Sequence, residues 1–66
     1  MEDGSMKKLT VVVEPGDDGW LTSEVVELPG CHTQGKTKKQ LIERTKEAIR
    51  AYLEKDDIPE IAIKEF

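Results

Sequence analysis

The stretch TKKQLIERTKEAIRAYL, Thr37 to Leu53, decides how the rest of the chain must fold. Leu41, Ile42, Thr45, Ala48, Ile49, Tyr52 and Leu53 recur at steps of three and four and draw one apolar stripe along a helix. Glu43 with Lys46 and Glu47 with Arg50 set opposite charges on the wet side. Thr37 is a good N-cap, and Gln40 three residues on completes a Thr-x-x-Gln capping box. Asp56-Asp57 and Pro59 stop the helix. A helix with a single apolar stripe must bury that stripe, and the segments on either side of it read as strands.

Upstream, Lys8 to Glu14 is rich in β-branched residues, with Leu9, Val11 and Val13 on one face and Thr10, Val12 and Glu14 on the other. Pro15-Gly16-Asp17-Asp18-Gly19 gathers turn formers and predicts a hairpin into a partner strand, Trp20 to Val26. The alternation of that strand is ambiguous. Leu21 and Val25 share a face with Ser23, while Trp20 and Val26 share one with Thr22 and Glu24. Leu28-Pro29-Gly30-Cys31 predicts a type II turn, with Pro29 presetting φ and Gly30 supplying the positive φ. His32 to Gly35 is then a short third strand, and Ile61 to Lys64 a closing one after the helix.

The expected fold is α+β in two layers, β-β-β-α-β: a three-stranded antiparallel sheet, one helix and a C-terminal strand returning to the sheet. No helix is left for the second sheet face. If Val12 lies there with Trp20 or Val26, an apolar patch is exposed, of the kind that marks a partner or dimer surface.

With 66 residues, one cysteine and one histidine, the chain has room for one domain, expected over residues 6–66, and little scope for disulfide or metal reinforcement. Self-association is the expected aid, as a homo-oligomer of two or more copies. Met1 to Ser5 reads as an expression remnant or a frayed start. A lone Cys31 and the lack of any long apolar run suggest a cytoplasmic protein with no membrane segment. The net charge of -4 disfavours nonspecific nucleic-acid binding. Residues 38–55 nonetheless hold six basic and three acidic side chains, so a basic helix accompanies an acidic remainder.

Cys31-His32 is the pair that suggests nucleophilic or zinc chemistry, yet neighbours on a strand point to opposite faces and the further ligands zinc needs are missing. A structural role is favoured. Glu14, Glu24 and Glu65 sit at a strand end, a strand middle and the terminus, so they are not expected to converge as a two-metal nuclease site. Trp20 reads equally as a seal on the core edge or an interface anchor. Lys36, Lys38 and Lys39 are too few for a phosphate site, and the glycines are explained by turns. No enzyme activity, metal or cofactor is predicted.

The run Glu27-Leu28-Pro29-Gly30-Cys31-His32-Thr33-Gln34-Gly35, preceded by Gly19-Trp20 and followed by Thr37 opening a helix, resembles the signature of the HicB-like antitoxins, a likeness that spans Met6 to about Glu54. The resemblance implies a truncated RNase H-like fold without nuclease carboxylates. It also implies a partner, a small basic HicA-type toxin that cleaves messenger RNA and is blocked when the antitoxin binds it. Many such proteins continue into a DNA-binding segment; none is expected after Phe66, so direct DNA binding is not anticipated. Val26 departs from the pattern, since proline often stands there. On this view Glu24 and Glu27 face the toxin's basic surface, Trp20 adds apolar area, and Leu28, Pro29 and Gly30 form a structural turn. The alternatives are a weak RNA-binding or residual nuclease domain, and a self-associating domain with another protein partner.

Overall fold

The computed structural model describes residues 8–65; the reading of Met1 to Ser5 falls outside them. Strand β1 spans Lys8–Pro15, β2 Leu21–Val25, β3 His32–Gly35, helix α1 Lys38–Leu53 and β4 Glu60–Glu65. The sheet order is β3-β2-β1-β4. The first three strands are antiparallel, as expected, and β4 lies parallel to β1, so the sheet is mixed. That direction follows from the helix. α1 has 16 residues, about 24 Å at 1.5 Å per residue, long enough to carry the chain back along β1 before β4 begins.

The two-layer architecture rests on one buried set: Leu9, Val11 and Val13 of β1, Val25 of β2, Leu28 and Cys31 of the following turn, and Leu41 and Ile49 of α1. Leu9, Leu41 and Ile49 are wholly buried. The ambiguity of β2 resolves towards Leu21, Ser23 and Val25 facing the helix. Ser23 is tolerated there because its Oγ meets Thr45 Oγ1 at 2.7 Å. Thr45 Oγ1 in turn donates to the Leu41 carbonyl at 2.7 Å, which leaves Ser23 as the donor between the two hydroxyls. Tyr52, expected in the stripe, is 47% exposed.

The turns follow their residues. Between β1 and β2, Asp17–Gly19 forms a 3₁₀ turn in which Asp18 accepts a left-handed φ of 58°. Cys31 N–H donates to Leu28 O at 2.9 Å and Gly30 has φ 83°, the requirement of the expected type II turn. The Thr37 hydroxyl accepts from Gln40 N–H at 3.0 Å. The Gln40 side chain, however, accepts from Lys36 N–H at 2.8 Å, one residue before the position a standard capping box uses. The helix ends at Leu53, before Asp56-Asp57, with Glu54 in a left-handed cap at φ 56°.

The expected pairs Glu43–Lys46 and Glu47–Arg50 do not close. Among the described residues the salt bridge is Lys38 Nζ to Glu65 at 2.6 Å, tying the helix start to the end of β4. Long exposed side chains gain too little from one another to be held in a single geometry.

Candidate functional site: the open face of the sheet

The register places Thr10, Val12 and Glu14 of β1 on the face that α1 leaves open. Beside them stand Thr22 and Glu24 of β2, His32 and Gln34 of β3, and Ala62 and Lys64 of β4. One row crosses the whole sheet in the order Lys64, Val12, Glu24, His32. A second runs Glu14, Thr22, Gln34. Of the apolar patch anticipated on this face, Val12 and Trp20 are both present but are parted by Glu14, Thr22 and Glu24, so they form no continuous patch, and Val26, 59% exposed, lies beyond the end of β2. β2 stops at Val25 because Val25 O accepts from Leu28 N–H in a turn.

Val12, Glu14, Thr22, Glu24, His32 and Gln34 line one shallow, open hollow. Two carboxylates that looked scattered along the chain thus share a site. Glu14 and Glu24 are diagonal neighbours, about 7–8 Å apart at the backbone, and Glu24 lies directly across from His32. Glu65 faces the other way, towards the helix side. Among the described residues no three His, Cys, Asp or Glu side chains gather as metal ligands. Register, which no local pattern reveals, is what joins Glu14, Glu24 and His32.

Trp20 sits half-buried at the rim of the same face, with Lys36 Nζ 4.7 Å from its ring centroid. Of the three lysines around the helix start, Lys36 is thereby held on an aromatic ring and Lys38 by Glu65. Glu24 is exposed, and its carboxylate has no partner among the described residues.

Glu27, expected to face a partner, is exposed but already engaged within the chain. Its carboxylate accepts from Thr10 N–H at 2.7 Å and from the Thr10 hydroxyl at 2.9 Å. Val26 N–H still bonds Thr10 O at 2.9 Å, so the side chain supplies the next acceptor where β2 has turned away. The hydrogen bond from Thr10 N–H, reinforced by the hydroxyl, holds the Glu27 carboxyl below its usual pKa. Glu27 is a structural clasp, while Leu28, Pro29 and Gly30 form the turn beneath it. Cys31 is buried in the core and burial pushes its thiol pKa up, whereas His32 points to the open face, so the two do not act as a pair. None of the described helices is long and apolar enough to cross a membrane.

No protein-family model matches the chain, and no solved structure matches it significantly. Two archaeal proteins are similar. A UPF0150 protein of Archaeoglobus fulgidus is 51% identical over 47 residues, which cover 71% of this chain and 68% of that protein. A UPF0150 protein of Thermoplasma acidophilum is 53% identical over 47 residues, with the same coverage. At that identity and coverage, the chain belongs to the UPF0150 family.

Proposed function

We propose that the chain is an antitoxin-like binding module of the HicB type, which silences a small basic RNA-cleaving toxin in the cytoplasm by covering it with the open sheet face. The observation that carries this reading is the pair Glu14 and Glu24 on a face no helix covers, their carboxylates without partners among the described residues. A shallow polar hollow suits a protein surface better than a small molecule, which is usually held in a concave, mostly apolar pocket. Trp20 at the rim supplies the apolar anchor, and Glu14 and Glu24 the charge that orients a basic partner. The finer description as a truncated RNase H-like sheet belongs to the same proposal; it is supported by three antiparallel strands, a single helix and a fourth strand parallel to the first. The chain acts by contact and does no chemistry of its own.

A residual nuclease is the second reading, favoured by Glu14, Glu24 and His32 lining one hollow. Charge reversal separates the two. Glu14→Lys with Glu24→Lys should slow association with the basic partner and weaken its salt dependence, because like charges then face each other. An unchanged association rate in a folded double variant removes the open face from the interface.

A further inference from the structure

The two edges of the sheet are unlike. β3 is short, and its outer side is shielded by the helix, from which Arg44 donates to the Gln34 carbonyl at 3.1 Å. β4 is six residues long and bonded on one side to β1, while α1 packs chiefly over β3 and β2. Ile63, on the helix side of β4, is left 37% exposed. Among the described residues nothing pairs with the other side of β4, and a strand with apolar side chains and an unpaired edge is a template for another strand.

The sequence of β4 chooses which one. We infer that β4 pairs antiparallel with β4 of a second copy, joining two sheets into one of eight strands. With Ala62 opposite Ala62 across the two-fold axis, Ile61 faces the second copy's Ile63 on the helix side, and Glu60 faces its Lys64 on the open side. Both matches occur twice by symmetry. A shift of one residue sets apolar side chains against polar ones, and a shift of two loses both charge pairs and sets Ile61 against Glu65 or Pro59 against Ile63. Glu60-Ile61-Ala62-Ile63-Lys64 is therefore complementary to itself in one register, and its edge lysine, which would deter an unrelated strand, meets a glutamate only there. The two-fold axis stands perpendicular to the sheet, so both helices lie on one side and both open faces on the other. This pairing does not depend on the identity of any toxin.

Sedimentation of the whole protein at about 100 μM tests it. The wild-type chain should run as a dimer. Glu60→Lys and Lys64→Glu should each raise the dimer dissociation constant roughly tenfold or more, since two attractive pairs become repulsive. Mixing the two variants should restore association as a heterodimer, because one then carries lysine and the other glutamate at both positions, and the double swap should restore the homodimer. Recovery on mixing also shows that neither variant failed to fold. A monomeric wild type, dimers indifferent to both single changes, or no recovery in either the mixture or the double swap would overturn the inference.

Discussion

The Glu27 carboxylate stands in for a strand neighbour of Thr10, taking its N–H at 2.7 Å and its hydroxyl at 2.9 Å across 17 residues of chain. An ionised acceptor makes a stronger hydrogen bond than a neutral one, so the clasp weakens when the carboxyl is protonated. The folded pKa lies below the ordinary value of 4.5, which fixes the sign. The contribution is fully present above that ordinary value and is lost as the pH falls through the lower, folded one. Thermal midpoints of the wild type and Glu27→Gln should therefore differ at neutral pH and draw together only as the pH falls below 4.5 and through the lower, folded pKa. A gap that is constant with pH would mean the charge is not what matters.

Gly30 and Gly35 are indispensable for different reasons. At Gly30, with φ 83° and open space around a would-be Cβ, alanine is strained by its backbone alone and should cost about 1 kcal/mol. At Gly35 a Cβ would lie 3.0 Å from Leu41 N and 3.1 Å from Leu41 Cα, so alanine pushes β3 off the first turn of the helix. Gly35→Ala should cost about 1–3 kcal/mol, the more damaging of the two by urea unfolding. The reverse order would argue against this close strand–helix contact.

Thr45→Val removes the acceptor of the buried Ser23 hydroxyl and should cost about 1–3 kcal/mol. Adding Ser23→Ala removes the stranded donor, so the double variant should lose less than the two single losses combined. Strict additivity would show that the two hydroxyls are not coupled. Leu41→Ala and Ile49→Ala, both at wholly buried positions, should each cost roughly 2–5 kcal/mol.

Glu54 closes the helix with a left-handed φ of 56°, a conformation that glycine adopts without a Cβ penalty. Glu54→Gly should leave stability unchanged or raise it by up to about 1 kcal/mol, despite glycine's poor helix propensity. A clear loss by thermal unfolding would show that the glutamate side chain has a stabilising contact.

What the sequence makes legible is local. The Thr37 cap, the Leu28-Pro29-Gly30 turn and the alternation of Leu9, Val11 and Val13 depend on residues a few positions apart, and all appear as expected. The parallel placement of β4 beside β1 is not local, since the six-residue strand fits either direction until the helix length and crossover are known. The site was hidden in the same way. Glu14 and Glu24 meet because Val12 pairs with Glu24, a matter of register, and Glu27 is consumed by a partner far back in the chain. An acidic residue beside a turn looks equally available to a partner or to its own backbone until that geometry is known.

On the proposed reading Glu14 and Glu24 of the open sheet face steer this chain onto a basic ribonuclease and neutralise it. The most direct measurement adds the purified chain, step by step, to RNA cleavage by a small basic ribonuclease of the HicA type. Cleavage should fall to background near equal numbers of the two proteins, while the chain alone with magnesium or manganese leaves the RNA intact. Undiminished cleavage in the presence of excess folded chain would contradict the account, as would cutting by the chain alone that disappears in Glu14→Gln or Glu24→Gln.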